Sequence, residues 1–292
     1  MNHFTIKDLE NLSGIKAHTI RIWEQRYSFI KPNRTSTNIR YYSSKDLCTI
    51  LNIAMLSRYG YKISHIDRMT AVDITTKVAE LNYSEAVKDR VVNELIQHMV
   101  ELDSARFEKL IDKQIAVNGI EKVITKILFP FFERIGVLWQ TGHINPAQEH
   151  LITNITRQKI IVGIDQVRPV VVHKKSFLLF LPEREHHELG LLFVYYLLKK
   201  HGIDVFYLGA NAPIKDAKFV AEIKKPSFIY LHLTTAPHGY TVEKFLKLLS
   251  DNFPANKIII SGFISNNYKK PLPRNIQFVE SLAGLVSFIS SL

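Results

Sequence analysis

The spacing of apolar residues changes along the chain and predicts three kinds of structure in turn. Short helical patterns fill residues 1–75, longer helical patterns fill residues 76–168, and strand and helix patterns alternate over residues 169–292. We therefore expect three domains: a small helical head, a four-helix bundle, and an α/β domain whose parallel sheet carries helices on both faces. The fold class is accordingly multidomain, part α and part α/β.

Two short helices joined by a glycine-containing turn are expected at the start of the head. Thr5 is a candidate cap for the first helix, and Gly14 ends it. The second helix runs to about Arg26, with Ile20 and Trp23 as its buried stripe. This is the helix-turn-helix pattern, whose second helix reads base edges in the major groove. Its outward residues are expected to be Lys16, His18, Thr19, Arg21, Glu24 and Gln25.

A polar, turn-rich segment, residues 33–42, is expected to form a small hairpin, or wing, whose arginines approach the phosphate backbone. Residues 1–70 hold 11 Lys and Arg against 5 Asp and Glu, a net charge of +6 where the whole chain has +11. The head is therefore the favoured site for double-stranded DNA. The expected DNA-contacting residues are Lys16, His18, Thr19, Arg21, Gln25, Arg26, Arg34, Arg40 and Tyr41.

The head resembles the DNA-binding domain of the MerR family of transcription regulators. The matching pieces are Phe4-Thr5-Ile6, the run Thr19–Tyr27 and the wing ending Arg40-Tyr41-Tyr42. The resemblance covers the whole head. It implies a winged helix-turn-helix fold and a homodimer or homotetramer on palindromic operator DNA.

Composition narrows the cellular setting. A pI near 9.5 points to an anionic partner, and no run of about 18 apolar residues suggests a membrane span. The one cysteine, Cys48, excludes an internal disulfide and a cysteine-based zinc cluster and is expected to be a small buried apolar residue. The N-terminus lacks the basic start and apolar core of a signal peptide. We expect a cytoplasmic protein without membrane contacts.

The helical segment from about 72 to 165 contains one sequence combination of interest. Pro130 is expected either to bend one of its helices or to start a new turn. Trp139 alone favours bundle core, and Glu149-His150 alone favours a solvated helix start. Together they resemble the helical cap of the cobalamin-binding, light-responsive repressors within the MerR family, which act on carotenoid genes. The resemblance implies that Trp139, Glu149 and His150 cover the upper face of the corrin and contact its 5′-deoxyadenosyl group.

One departure from that family concerns light. Its light-converted members place a histidine directly after the tryptophan, to capture cobalt once the adenosyl group has left. This chain has Gln140 there, and an amide is a poorer cobalt ligand than an imidazole. His143 is near but offset. Whether light is sensed therefore stays open.

The last domain carries Glu185-x-His187-x-x-Gly190 after an apolar strand, and the turn Leu208–Pro213 after the next strand. These features resemble the flavodoxin-like (Rossmann-like) corrinoid-binding domain. The resemblance implies that His187 is the lower axial ligand of cobalt and that Gly190 leaves room for the nucleotide tail of the cofactor. Glu185 can fix the tautomer of His187.

The later strands contribute further expected cofactor contacts. They are His232, Thr234, Ser261 and Gly262. The family has a small Ser or Thr where this chain has His232, and Gly-Gly where it has Ser261-Gly262. A bulky His232 either narrows the tail pocket or donates a hydrogen bond within it, and the sequence leaves both possibilities open.

Two functions follow from these features. The preferred one is a DNA-binding regulator, in the family a repressor, that senses adenosylcobalamin through the bundle and the α/β domain, with light as an open second input. The alternative is a MerR-type regulator whose degenerate cobalamin-like domain binds no cofactor and serves oligomerisation or protein recruitment. We do not expect an enzyme, because the chain has no recognisable catalytic triad, substrate barrel or phosphate-binding glycine loop.

Overall fold

A computed structural model describes the protein over residues 3–140, 144–169, 174–234 and 238–292. The chain divides into two compact units, residues 1–155 and 156–292. The expected fold class is confirmed, because the first unit is helical and the second is built on a five-stranded parallel sheet. The three domain boundaries expected from the sequence stay a prediction. No helix within the described ranges is long and apolar enough to cross a bilayer.

The first unit consists of short helices and one small hairpin. Its helices are α1 (Ile6–Ser13), α2 (Ala17–Arg26), α3 (Ser44–Arg58), α4 (Ile63–Ile66), α5 (Ala71–Glu80), α6 (Ser84–Val100), α7 (Ser104–Asn118), α8 (Ile120–Val123), α9 (Phe129–Gln140) and α10 (Pro146–Gln166), the last of which continues into the second unit. The hairpin pairs β1 (Asn33–Arg34) with β2 (Arg40–Tyr41) in antiparallel fashion. Reciprocal capping boxes fix the starts of α1, α3 and α5.

The head forms the expected winged helix-turn-helix. Gly14 ends α1 in the left-handed conformation, at φ 73°, and its N–H donates to the carbonyl of Glu10. Ile20 and Trp23 are the buried residues of α2. Phe4 exchanges two main-chain hydrogen bonds with Tyr42, at 2.9 and 2.8 Å, and so ties the start of the chain to the wing.

A π-helical turn marks the position of Pro130. It spans Ile124–Leu128, between α8 and α9. Proline lacks a main-chain donor, and its ring would meet the carbonyl of Lys126 in a regular α-helix. The wider turn relieves that conflict, so the helix continues through Pro130 with a local irregularity.

The single cysteine behaves as the sequence predicts. Cys48 is half-buried in α3, and desolvation raises the pKa of its thiol to about 12. The thiol therefore stays protonated at neutral pH, and it acts as a small apolar side chain.

The second unit is a doubly wound sheet. Its strands are β3 (Ser176–Phe180), β4 (Asp204–Gly209), β5 (Phe228–Leu233), β6 (Lys257–Gly262) and β7 (Ile276–Val279), and its further helices are α11 (Leu189–Lys200), α12 (Ile214–Lys224), α13 (Val242–Asn252), α14 (Phe263–Asn267) and α15 (Leu282–Ser290). All neighbouring strands are parallel, in the order β4-β3-β5-β6-β7. This is the flavodoxin-like order.

Alternation along β5 assigns the two faces of the sheet. Ile229, Leu231 and Leu233 join the core formed with α12 and α13. The other set, which includes Tyr230 and His232, points to the face that α11 and α15 cover. The second face is the one that matters for the site, because α11 begins there directly after the Glu185–His187 turn.

Candidate functional site

The turn after β3 holds a buried carboxylate against an imidazole. The Glu185 side chain is 5% exposed, and its Oε1 accepts from the main-chain N–H of His187 at 3.0 Å and from Nδ1 of the same residue at 2.5 Å. An ionised carboxylate only accepts, so the Nδ1 proton lies on the imidazole and the ring lone pair lies on Nε2. Thr234 donates from Oγ1 to Glu185 Oε2 at 3.2 Å, so both carboxylate oxygens are engaged.

A second turn braces the first. The main-chain N–H of Arg184 donates to Oδ1 of Asn211 at 2.8 Å, and the N–H of Asn211 donates to the carbonyl of Glu185 at 3.1 Å. Both Arg184 and Asn211 have positive φ angles, of 67° and 56°. The Leu208–Pro213 turn singled out in the sequence therefore fixes the conformation of the loop that carries His187.

The position of these residues in the sheet is that of a ligand site. Strand order reverses between β3 and β5, and open α/β sheets bind ligands at the carboxyl ends of the strands on either side of such a reversal. Glu185 and His187 follow β3, and Thr234 follows β5. The hydrogen bond between Thr234 and Glu185 spans this crevice.

The space beside Gly190 is occupied by another side chain of the unit. A Cβ placed on Gly190 would lie 2.3, 2.5 and 2.7 Å from the Cδ2, Nε2 and Cγ atoms of His232. These distances are shorter than any van der Waals contact, so the imidazole lies directly against the backbone of α11. Gly190 leaves room here for His232, whereas the sequence resemblance assigns that room to the nucleotide tail of a corrinoid.

Hydrogen bonds hold His232 in that position. Its Nδ1 lies 2.8 Å from Oγ of Ser261, whose Oγ lies 2.5 Å from the hydroxyl of the fully buried Tyr230. Burial lowers the pKa of the His232 imidazole to about 4, opposed by the weaker field of Glu185. His232 is therefore neutral at neutral pH. Of the two possibilities left open by the sequence, the structure shows both: the slot is filled, and His232 takes part in a hydrogen bond.

Gly262 ends β6 under a tight constraint. Its φ is 100°, and an added Cβ would lie 2.4 Å from the carbonyl oxygen of Leu233. Only glycine fits this close approach of two strands. The requirement for Gly262 is thus set by the backbone of the neighbouring strand.

Sequence reasoning missed an ion-pair network beside His187. Glu188 accepts a hydrogen bond from the hydroxyl of Tyr207 at 2.8 Å and pairs with Nε of Arg157 on α10. Burial is the largest cause of a raised pKa of the Tyr207 phenol, the Glu188 carboxylate raises that pKa further, and Arg157 opposes the shift. Nothing in the sequence links residues 157, 188 and 207, because they come from three separate elements.

The residues expected above the corrin are described in part. Glu149 is 8% exposed, and its carboxylate accepts from Oγ1 of Thr153 at 2.6 Å and lies 3.0 Å from Nδ1 of the exposed His150. Glu149 is therefore not part of an ordinary solvated helix start. The side chains of Trp139 and Gln140, and residue His143, lie outside the described residues.

The outer surface of α2 carries most of the expected DNA contacts. Lys16, His18, Arg21, Gln25 and Arg26 are exposed, and Thr19 is partly exposed. The wing residues Arg34 and Arg40 are exposed as well, and Tyr41 is half-buried against the ring of His3.

Glu24 is a correction to the expected outward set. Its side chain is 7% exposed, accepts a hydrogen bond from the hydroxyl of Tyr42, and lies 3.6 Å from Nε of Arg40. The helical period places Glu24 near the edge of the outward face, and the wing then folds over that edge. Glu24 therefore joins α2 to the wing.

Comparison with known protein families finds matches for two segments of the chain. Residues 4–72 match the MerR HTH family of regulatory proteins, and residues 91–162 match the family described as the B12 binding domain. The chain therefore contains one segment similar to the MerR HTH regulatory proteins and a second segment similar to B12 binding domains.

Two curated relatives cover almost the whole chain. The HTH-type transcriptional repressor CarH of Myxococcus xanthus is 25% identical over 257 residues, which are 86% of this chain and 85% of the relative. The HTH-type transcriptional repressor CarA of the same organism is 24% identical over 288 residues, or 97% and 94% of the two chains. This chain is homologous to both repressors.

A solved structure shares the fold. The monomethylamine corrinoid protein of Methanosarcina barkeri superposes with a TM-score of 0.53 at 14% identity, over 70% of this chain and 100% of the other. The shared fold supports the doubly wound assignment of the second unit.

Proposed function

We propose that this chain is a transcriptional repressor whose binding to operator DNA responds to adenosylcobalamin. The observation that carries the proposal is the Glu185–His187 pair at the reversal point of the sheet, in a chain that also has a MerR-type head. Light is a second input in this proposal. The protein acts as a regulator rather than an enzyme, as the names of both relatives favour.

In this proposal His187 would hold the cobalt of the cofactor. An imidazole is a strong neutral donor, and the carboxylate of Glu185 holds its proton on Nδ1 so that Nε2 presents the lone pair. Thr234 positions the carboxylate from the neighbouring strand. When bound, adenosylcobalamin would supply a light-sensitive cobalt–carbon bond.

The helical residues have complementary roles. Trp139, Glu149 and His150 would cover the upper side of the cofactor, and the burial of Glu149 suits contact with the polar adenosyl group. The exposed residues of α2 and the wing would contact the operator, with the chain present as a homodimer or homotetramer. The protein would then have three domains, at residues 1–75, 76–168 and 169–292.

The alternative is a regulator whose C-terminal part binds no cofactor. One observation favours it, which is the imidazole of His232 lying against Gly190. The match of residues 91–162 to a B12 binding domain favours cofactor binding instead. The cofactor-binding proposal therefore has the stronger support.

A pair of adjacent histidines offers a matched test. The full chain is incubated with adenosylcobalamin in darkness, passed over a desalting column, and examined by absorption and by gel shift on operator DNA, before and after illumination. We expect a coloured native protein, a coloured His186→Ala variant, and loss of the histidine-ligated spectrum in His187→Ala. A colourless native protein that still binds the operator would favour the alternative. A coloured protein whose operator binding is the same in darkness and after illumination would bind the cofactor without responding to light through it.

A further inference from the structure

The polar chain between β5 and β6 fixes a side chain in the slot beside Gly190. Strand pairing sets His232 opposite Ser261, and alternation puts both on the face covered by α11. Tyr230, two residues before His232 on the same face, completes the chain through the Ser261 hydroxyl. The half-buried imidazole is therefore held against α11 at the carboxyl end of β5.

The slot has no room for a second planar group while His232 holds this position. Three ring atoms already lie within 2.7 Å of where a Cβ of residue 190 would be, so the imidazole touches the helix backbone. A group inserted between Gly190 and β5 would have to displace the ring. Displacement would break the contact with Ser261 and would reopen a space in a closely packed layer.

The turn that bears His187 and the slot beside Gly190 contain different hydrogen bonds. Glu185 is hydrogen-bonded to His187 and Thr234, whereas His232 is hydrogen-bonded to Ser261. The side chain that would hold cobalt, His187, therefore differs from the side chain that would exclude the nucleotide tail, His232. The Glu185–His187 pair is formed, whereas the space beside Gly190 is filled by His232.

We propose that His232 makes this chain select corrinoids that are held by the ring and the axial histidine alone, with no nucleotide base inserted between Gly190 and β5. The inference rests on the proposed cofactor function. The favoured ligand class is a corrinoid without a nucleotide tail, such as adenosylcobinamide, or one whose tail remains outside the sheet. Steric exclusion is the cause, so any side chain that fills the slot preserves the selectivity.

The test compares two corrinoids on four proteins. Adenosylcobinamide and adenosylcobalamin are titrated in darkness against the native full chain, His232→Ser, His232→Phe and the control His201→Ala, which lies at the other end of α11. Absorption reports ligation by His187, and far-ultraviolet circular dichroism reports folding. We expect the native chain, His232→Phe and His201→Ala to prefer adenosylcobinamide by about tenfold or more, a difference of about 1.4 kcal/mol. His232→Ser is expected to lose that preference.

Each outcome decides between the proposals. Equal affinities of the native chain for the two corrinoids would overturn the selectivity while leaving the cofactor function intact. Binding of neither corrinoid to the native chain, with cobalamin binding to His232→Ser, would show that His232 closes the slot to every corrinoid and would overturn both the selectivity and the sensor function. Failure of every folded variant to bind either corrinoid, with operator binding retained, would overturn both.

Discussion

A guanidinium N–H of Arg134 in α9 donates to the main-chain carbonyl of Leu12 in α1 at 2.5 Å. The same side chain donates to Oδ1 of Asn93 in α6 at 2.9 Å. The first helix of the DNA-binding head is therefore bonded to the helix that contains Trp139. Arg134 is half-buried, and desolvation lowers the pKa of its guanidinium. One arginine thus joins three helices of the first unit.

Removal of Arg134 is expected to destabilise the first unit. Arg134→Met keeps the apolar stem but leaves the Leu12 carbonyl and the Asn93 amide without this donor, at a cost of about 1.5–3 kcal/mol. Denaturant unfolding of the full chain measures the loss. Arg106→Met is the control, because this arginine is 71% exposed and its removal should change stability by about 0.5 kcal/mol or less. Equal effects of the two changes would contradict the structural role of Arg134.

Glu185→Gln is expected to weaken cofactor binding through His187. The glutamine amide can donate an N–H to Nδ1 of His187, so the proton of the imidazole is no longer fixed on Nδ1. Loss of such a hydrogen-bond partner typically lowers metal affinity about 10–100-fold. Titration with adenosylcobalamin, read by absorption, measures the change. Glu183→Gln is the matched control, since that residue lies in the same turn and is exposed. A native affinity in Glu185→Gln would exclude the tautomer argument.

Arg21→Ala is expected to weaken operator binding. Arg21 is exposed on α2, where a base or phosphate contact is worth about 1–3 kcal/mol. Gel shifts at several salt concentrations measure both affinity and salt dependence. Lys109→Ala removes the same charge from the exposed surface of α7 and serves as the control. If the two variants bound the operator equally well, α2 would not face the groove.

Tyr42→Phe is expected to destabilise the head. Tyr42 is fully buried, its hydroxyl donates to Glu24, and burial together with that carboxylate raises the pKa of the phenol. Without the hydroxyl, the nearly buried carboxylate loses a donor, which costs about 1–3 kcal/mol. Thermal unfolding measures the change, with Tyr61→Phe at a half-buried position as control. A carboxylate that reorients toward Arg40 without loss of stability would argue against this account.

His232 is expected to make folding stability depend on pH. Its folded-state pKa of about 4 lies below the ordinary value of 6.5. Between these values the unfolded chain binds more protons than the folded chain, so stability falls as pH falls from about 6.5 toward 4. Denaturant unfolding at several pH values should show a steeper fall for the native chain than for His232→Gln. Parallel curves would indicate that the imidazole is not buried in its neutral form.

Local sequence was sufficient for several features. The capping boxes, the glycine at the end of α1 and the apolar stripe of α2 are set by residues a few positions apart, so the head could be predicted in detail. The contact between Glu185 and His187 joins residues two positions apart and could be anticipated too. Alternating strand and helix patterns likewise predicted the parallel sheet of the second unit.

Tertiary structure decided the rest, because it depends on side chains distant in sequence. Glu24 is covered only because the wing places Tyr42 over the edge of α2. The slot beside Gly190 is filled only because strand pairing and alternation direct His232 onto that face. Periodicity tells which side of an element is buried, but not which distant side chain will occupy the space opposite a glycine.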